Sequence, residues 1–382
     1  MSTDVVAAPG LVPGAATASE AEERVSVATQ WQLIWWRFRK HRLAVVSAGI
    51  LIAFYVVVVF ADFLSYADPL ASEAQRGLIP PQPVRLTSQG LYAEALVGTR
   101  DPQTFKRVYV VDPNQQVPVK FFVHGFPYKL WGFIPLDVHL LGVEADDKTA
   151  ESSLFLIGTD IQGRDLWSRL MYATQVSLLI GLSSVTLSLF LGVLLGGLAG
   201  YFGGLIDTLV MRLVEILRSI PTIPLWMGIA AALPRDWDIV RVFFVMTIIF
   251  ALVQWTELAR VVRGRFLSLR EEDFVMAAEL AGCGRMRIIF RHMVPSFLSH
   301  IIAATTLSLP QIIIFETSLS FLGLGLRPPA ISWGVMLQQA SNVQTLAISP
   351  WLLLPAVPVI VAILAFNFLG DGLRDAADPY GV

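Results

Sequence analysis

Residues 170–206 read LMYATQVSLLIGLSSVTLSLFLGVLLGGLAGYFGGLI, and these 37 positions contain no charged side chain. About 20 predominantly apolar residues are enough for a helix to cross the bilayer core. The stretch therefore predicts a transmembrane helix near residues 174–199. Its glycine-rich end, Gly196–Gly204, predicts a tight turn.

The composition of the whole chain also indicates a membrane protein. Of the 382 residues, 55% are hydrophobic and 15% are charged, whereas charged residues make up about 25% of a typical soluble domain. The mean hydropathy is +0.62. These values exclude a disordered chain, a disulfide scaffold and an ordinary cytosolic enzyme. The net charge of −2 provides no field for nucleic acid, and the single cysteine, Cys283, excludes a disulfide within the chain.

Five further apolar stretches complete a predicted set of six transmembrane helices. Leu43–Ala61 has 19 uncharged residues, which as a helix span about 28 Å. The others are predicted at 207–233, bent at Pro221 and Pro224, at 239–260, at 297–322, interrupted by Pro310, and at 351–369. Ser332–Ser349 predicts a loop or a re-entrant segment. The spacing of Arg212, Glu215 and Arg218 predicts that they pair in part with one another.

Arginine content orients these helices. Seven arginines lie between the fourth and fifth predicted helices, at positions 260, 263, 265, 270, 285, 287 and 291. The loops after the third and fifth hold only Arg235, Arg241 and Arg327. The positive-inside rule places the arginine-rich segment in the cytoplasm. The basic residues just before Leu43 agree, so both termini are predicted in the cytoplasm, with residues 1–42 as a tail whose first 30 residues are mobile.

Residues 63–169 are predicted to form a polar insert that faces outward and is a domain of its own. Residues 106–112 and 117–123, separated by Pro113-Asn-Gln-Gln, predict a β-hairpin. Aromatic residues follow, and we interpret them as the core of a small domain rather than a ligand platform. They are Phe121, Phe122, Phe126, Tyr128, Trp131 and Phe133.

The arginine-rich segment contains the most informative pattern. Residues 270–295 read REEDFVMAAELAGCGRMRIIFRHMVP. Phe274, Ala277, Ala278 and Ala281 recur at helical spacing, as do Met286, Ile289, Phe290 and Met293, and two glycines separate the two sets. Two short amphipathic helices outside the membrane must each bury one face. They could lie on lipid or form a docking element for another protein.

This segment resembles the "EAA" coupling loop of permease subunits of bacterial binding-protein-dependent ABC importers. Ala277, Ala278, Gly282, His292 and Pro295 match, whereas Met276 stands in place of the first Glu. Three further motifs are similar to the second permease of oligopeptide and dipeptide importers, and together the four cover about residues 31–62 and 157–380. These motifs are GTDIQGRD (158–165), ETSLSFLGLG (316–325) with the following Pro328-Pro329 and Ser332-Trp333-Gly334, and NFLGDGLRD (367–375) with Asp378-Pro379.

The resemblance implies a type I ABC importer permease fold, with the first helix at 43–62 and the permease core at 170–382. It implies contact with an ATPase subunit through the segment 270–295. The candidate residues are Phe274, Ala277, Ala278, Glu279, Gly282, Met286, Ile289, Phe290, His292 and Pro295. It further implies a second permease, two ATPase subunits, an extracytoplasmic substrate-binding protein and a place in the bacterial inner membrane. The solute would be a peptide, although relatives import oligosaccharides or nickel.

Catalytic, cofactor and metal sites are not indicated. None of the five lysines follows a glycine, so the Gly-Lys-Ser/Thr motif that holds ATP phosphates is missing and ATP hydrolysis is expected on another polypeptide. The five histidines and Cys283 show no metal-ligand spacing. Glu316 is the one acid deep in an apolar stretch, and it is either functional or a polar packing contact. An ion-coupled secondary transporter would need more such acids and inverted repeats.

Overall fold

The computed structural model describes residues 30–87, 90–100, 107–143, 154–234 and 236–377. Residues 1–29 of the predicted mobile tail, Arg235 and the Asp378-Pro379 pair lie outside the described residues. The helices are α1 (Gln30–Lys40), α2 (Arg42–Val59), α3 (Ala61–Leu64), α4 (Leu166–Phe202), α5 (Gly204–Ser219), α6 (Thr222–Ala231), α7 (Ile239–Leu269), α8 (Asp273–Leu280), α9 (Arg285–Arg287), α10 (Val294–Ser296), α11 (Leu298–Phe321), α12 (Trp333–Gln339), α13 (Val343–Ile348) and α14 (Ala356–Ala377). The strands are β1 (Val84–Thr87), β2 (Gly90–Arg100), β3 (Arg107–Leu130) and β4 (Ile134–Gly142).

Within the described residues, five helical segments are long and apolar enough to cross a membrane, and the bent pair α5–α6 is the sixth when its two helices are counted as one span. On that count the six-helix prediction is confirmed by length and composition. The pair is bent by 82° at Ile220 and Pro221, which both have extended backbone (ψ 128° and 124°). A proline ring disfavours helical backbone in the residue before it, so the predicted bend follows from the sequence.

The main core joins the long helices. Leu51 of α2, Ile180 of α4, Phe250 of α7, Ile313 of α11 and Phe366 of α14 all belong to one buried cluster. Apolar contact among these helices sets their arrangement, since in lipid close packing and polar contacts replace the hydrophobic drive.

The predicted turn at Gly196–Gly204 is wrong for most of its length. Helix α4 continues to Phe202, and only Gly203 (φ 64°) and Gly204 (φ 55°) have the left-handed backbone that turns the chain. Gly196 and Gly200 serve helix packing instead. A Cβ atom would lie 2.5 Å from the Ala259 carbonyl oxygen at Gly196, and 2.5 Å from the Phe266 Cβ at Gly200. Glycine here allows α7 to approach closely.

The predicted partial pairing among Arg212, Glu215 and Arg218 is confirmed for one pair. Arg212 Nη1 lies 2.8 Å from Glu215 Oε2 on the same helix, whereas Arg218 Nη1 lies 3.9 Å from Glu257 Oε2 of α7. The third charge therefore points across to another helix.

The insert contains a four-stranded antiparallel sheet in the order β1-β2-β3-β4. The predicted hairpin is wrong, because residues 107–112 and 116–119 belong to the single strand β3 and both pair with β2. Glu94 pairs with Gln116 and its neighbour Ala95 pairs with Asp112, so Pro113 to Gln115 form a bulge. Strand β2 pairs with both segments along one edge, and the turn-forming residues between them are accommodated as extra residues of the bulge.

The predicted aromatic core of the insert is also divided. Tyr128 is buried and Phe126 half-buried, with their rings 5.0 and 4.5 Å from that of His139. The other four aromatic residues are exposed, and they are Phe121, Phe122, Trp131 and Phe133. The segment 332–349, predicted as a loop or a re-entrant segment, contains two short helices, α12 and α13.

Candidate coupling surface and polar sites

The segment 270–295 folds into two short helical arms. The first is α8, which ends in a Schellman motif. The amide of Cys283 donates to the Ala278 carbonyl (3.0 Å) and that of Gly282 to the Glu279 carbonyl (2.9 Å), and Gly282 has φ 75°. Glycine suits this position because other residues strain in the left-handed region. The second arm consists of α9, a π-helical turn at Ile288–Met293, and α10.

The buried faces of the two arms coincide only in part with the two apolar sets predicted from helical spacing. Val275 and Ala278 are buried on the first arm, and Ile288, Ile289 and Met293 on the second. On the second arm, the π-helical turn changes which side chains face the protein. Its i to i+5 hydrogen bonds, such as that from the Val294 amide to the Ile289 carbonyl, bring residues five apart onto one side. These side chains pack with Val262 and Phe266 of α7.

Large apolar side chains remain exposed on the other side of both arms. Leu280 is 91% exposed, and four others are exposed beside it in sequence. We name this set the coupling face, and its members are Phe274, Met276, Leu280, Met286 and Phe290. Large exposed apolar side chains concentrated on one segment are typical of an interaction surface.

The remaining candidate residues lie around the coupling face. Ala277, Gly282 and Pro295 are exposed, and His292 is half-buried. Ala278 and Ile289 are buried against the protein, so they support the arms from beneath. Sequence periodicity did not identify Met276 or Leu280 as part of the exposed set.

The end of α4 holds both arms. The Tyr201 hydroxyl donates a 2.6 Å hydrogen bond to Glu279 Oε1 on the first arm. The guanidinium carbon of Arg285, on the second, lies 5.3 Å from the centre of the Phe202 ring, within the range of a cation–π contact. The two aromatic rings pack edge to face, 5.4 Å apart. Neighbouring residues of one helix thus fix the two arms.

Glu316 is fully buried at a junction of three elements. Its carboxylate accepts hydrogen bonds from Ser177 Oγ of α4 (3.0 Å) and from Ser320 Oγ of α11 (2.9 Å). The Trp333 amide at the start of α12 donates to the same Ser177 oxygen (3.2 Å). A buried acid in a membrane span is expensive unless partnered, and here the partners join α4, α11 and α12.

The motif at 158–165 forms a second polar junction at the start of α4. Asp160 is fully buried and accepts from Arg164 Nε (2.7 Å) and from Gln339 Nε2 of α12 (3.2 Å). Arg169 Nε lies 3.7 Å from the same carboxylate. The Trp351 indole donates to the Thr159 carbonyl (3.1 Å). The sequence showed this motif but not that it binds the segment after α11.

Asp165 caps α4 beside that junction. It accepts from the Ser168 amide (2.7 Å) and from the Tyr66 hydroxyl (2.7 Å). Burial raises the pKa of Asp165 to about 6, and the hydrogen bonds from Ser168 and Tyr66 oppose that rise. Burial and the neighbouring Asp165 also raise the pKa of the Tyr66 phenol well above its ordinary value.

Two adjoining cavities lie among the long helices, with volumes of about 390 and 170 Å³. Gln254 and Glu257 of α7 and Gln311 of α11 line both. The Glu257 side chain is 69% exposed and lies on α7, in the last turn of the membrane helix predicted at 239–260. Among the described residues, no group of three or more His, Cys, Asp or Glu could hold a metal ion.

Two sequence families match the chain. Residues 192–380 match the family described as binding-protein-dependent transport system inner membrane component. Residues 29–81 match the N-terminal transmembrane domain of oligopeptide transport permease C. The sheet of the insert lies between the two matched regions.

Individual relatives agree. A Brucella suis protein that carries the name of a peptide permease is 37% identical over 265 residues, which are 69% of this chain and 83% of that protein. The oligopeptide transport system permease protein OppC of Escherichia coli K12 is 40% identical over 223 residues (58% of this chain, 71% of OppC). The corresponding OppC of Bacillus subtilis is 35% identical over 223 residues (58% and 70%). A solved structure of the MetNI methionine ABC transporter covers 54% of this chain and 95% of its own, with 19% identity and a TM-score of 0.42.

Proposed function

Because the chain belongs to the family of binding-protein-dependent transport system inner membrane components, we propose that it is a permease subunit of an ATP-driven importer that carries peptides. The names of its relatives support peptides as the solute. The single observation that carries the mechanism is the coupling face, a set of large apolar side chains on arms outside the membrane helices.

The coupling face is proposed to dock on an ATPase subunit. Its apolar residues lie between arginines, including Arg285, Arg287 and Arg291, and the positive-inside rule places such a segment in the cytoplasm. The buried side of the arms packs on α7 and their polar side chains contact α4. Movement of the ATPase would therefore reach both helices directly. Both termini of the chain would then lie in the cytoplasm.

The translocation path is proposed to run along the face that carries Glu257, Gln254 and Gln311. Polar side chains at membrane depth avoid acyl chains and face a protein partner or water. A second permease would close this face from the other side. The cavities of about 390 and 170 Å³ supply room for a solute with polar groups. A binding protein would deliver the peptide on the side opposite the coupling face.

Site-specific crosslinking tests the docking proposal. In a Cys283→Ser background, Leu280→Cys in the assembled complex should form an adduct with the ATPase subunit. Ala278→Cys, two positions away but buried, is the matched control and should not. Equal adducts at both positions, or none at Leu280→Cys in an active complex, would contradict the docking of this face.

Reconstitution tests the function itself. Peptide uptake into vesicles should require this chain, a second permease, the ATPase subunits and ATP. Uptake by this chain alone on an ion gradient would instead favour a secondary transporter. Uptake of an oligosaccharide but not of peptides by the same assembly would support an ATP-driven importer whose solute is an oligosaccharide.

A further inference from the structure

Three exposed aromatic side chains of the insert gather near the end of helix α2. We name them the aromatic edge, and they are Phe122, Trp131 and Phe133. Phe133 is 70% exposed and Trp131 is 55% exposed. Large aromatic side chains grouped on a surface in this way mark a site of interaction. Among the described residues, no part of the sheet covers these rings.

The aromatic edge is fixed to the end of a membrane helix. Trp131 Nε1 donates a 3.1 Å hydrogen bond to the carbonyl of Val59, the last residue of α2. The last carbonyls of a helix have no partner within it, so the indole supplies one. The Phe122 ring lies 6.2 Å from that of Phe63 in α3, and the Phe133 ring 6.1 Å from that of Trp131.

A second contact prevents the sheet from swinging away. His139 Nδ1 of β4 lies 3.1 Å from the Asp62 carbonyl oxygen, and His139 is almost completely buried. The Tyr172 hydroxyl of α4 also donates to the Asp62 carboxylate. The edge is therefore held at a defined level relative to α2 and α4.

That level coincides with the boundary of the hydrocarbon core. Helix α2 has 18 residues, which span about 27 Å and thus nearly the whole core of about 30 Å. Ile52, Val56 and Phe60 are exposed toward the end of this helix, so its apolar surface continues into the aromatic edge. The amphipathic Trp ring favours the layer between acyl chains and water, and Phe side chains enter the adjoining acyl boundary.

The backbone adds an independent observation. Phe122 (φ 57°) and Trp131 (φ 54°) both have left-handed backbone, which bulky residues rarely adopt. Glycine would take either position without strain. Aromatic residues at two such points indicate that their rings are needed where the backbone places them.

We infer that the aromatic edge inserts into the interfacial layer of the bilayer and anchors the insert sheet to the membrane. The occupant of this surface is lipid at the headgroup level. The inference depends on α2 as a membrane helix and not on the identity of the transported solute. A binding protein docked on the same rings is the competing outcome.

Lipid quenching tests the inference in the complete complex. In a Cys283→Ser background, Phe133→Cys carries an environment-sensitive fluorophore in nanodiscs whose lipids bear a spin label close to the headgroup. The control is Leu86→Cys on β1, which is 82% exposed and lies at the opposite edge of the same sheet. The label at 133 should lose fluorescence, whereas the label at 86 should not.

Equal responses at the two positions would overturn the inference. A label at 133 that is unaffected by the lipid quencher but shifts when purified binding protein is added would assign the edge to protein docking.

If Phe133→Cys fails to fold, the unlabelled complex provides a second measurement. In brominated lipid, the Trp131→Phe variant should lose a smaller fraction of its tryptophan fluorescence than the wild type, and an unchanged fraction would also overturn the inference. Neither measurement uses transport, so failure here leaves the permease assignment intact.

Discussion

The Tyr201 hydroxyl donates a hydrogen bond of 2.6 Å to Glu279 Oε1, which ties the last turn of α4 to the first arm of the segment 270–295. The neighbouring Phe202 ring faces Arg285 of the second arm. Helix α4 therefore contacts both arms through two neighbouring residues. Since Glu279 is on an exposed surface and Tyr201 is buried, the bond lies at the boundary between the arms and the helix bundle.

Removal of this bond should weaken the connection. Tyr201→Phe deletes the donor to a charged acceptor, an interaction worth roughly 1.5–3 kcal/mol. We expect ATP hydrolysis to continue with less peptide carried per ATP, measured by parallel hydrolysis and uptake assays in proteoliposomes. Glu279→Gln keeps an acceptor and should lose less. Unchanged stoichiometry in Tyr201→Phe would show that the bond does not transmit the movement.

The two glycines between the arms should respond differently to alanine. Gly282 has φ 75°, so Gly282→Ala should lower the free energy of unfolding by about 1 kcal/mol. Gly284 has φ −62° and ψ 143°, with no atom within 4 Å of an added Cβ. Gly284→Ala is the matched control and should have no such cost. The midpoint of thermal unfolding in detergent measures both, and equal losses would contradict the turn described here.

Helix packing in the bundle should depend on Gly196 and Gly200. At Gly196 an added Cβ meets the Ala259 carbonyl oxygen at 2.5 Å, and backbone cannot move aside as a flexible side chain can. We expect Gly196→Ala to cost roughly 1–3 kcal/mol through overpacking. Gly264 on α7 has open space around it, and Gly264→Ala should be tolerated. A stable Gly196→Ala variant, judged by gel-filtration behaviour and thermal midpoint, would contradict the close contact of α4 with α7.

The junction at Glu316 should tolerate a neutral acceptor better than its removal. Glu316→Ala leaves the hydroxyls of Ser177 and Ser320 without their carboxylate partner, at a cost of about 1–3 kcal/mol for each buried group left unsatisfied. Glu316→Gln retains an acceptor oxygen and should recover much of the stability. If peptide transport is lost in a fully stable Glu316→Gln variant, the charge itself has a role beyond packing.

Stability should depend on pH through Asp165. Its pKa rises from 3.8 in its ordinary state to about 6 in the folded protein, so the folded state binds the proton more tightly. The free energy of unfolding should therefore fall as pH rises from about 4 to about 6, and the Asp165 contribution should level off above that. Thermal midpoints across this range should show a steeper decline in the wild type than in Asp165→Asn. Parallel curves for the two proteins would refute the assignment.

Prediction from sequence succeeded where one physical cause dominated. Long uncharged stretches were enough to find the membrane helices, and Pro221 was enough to find the bend after α5. Prediction failed where the partner of a segment decides its structure. Gly196 and Gly200 read as turn residues until α7 is known to lie against them, and Pro113 read as a turn until β2 is known to pair on both sides of it.

The candidate site shows the same division. The glycine break and the two arms were predictable from the pattern between residues 270 and 295. Which apolar residues face outward was not, because a π-helical turn has a different periodicity from the α-helix assumed. Tyr201 could be found only from the structure, since it is 78 residues from Glu279 along the chain.

The unbroken length of α4 gives it the properties of a lever. Its 37 residues span about 55 Å, well beyond the hydrocarbon core of about 30 Å. Measured along the axis, Ser177 lies about 36 Å from Tyr201 and about 18 Å from Asp165. A rigid helix that pivots at the Ser177–Glu316 contact would move its two ends in opposite directions, with about half the displacement at the Asp165 end. A displacement of the two arms would thus move the Asp165 end of α4 in the opposite direction and by a smaller distance.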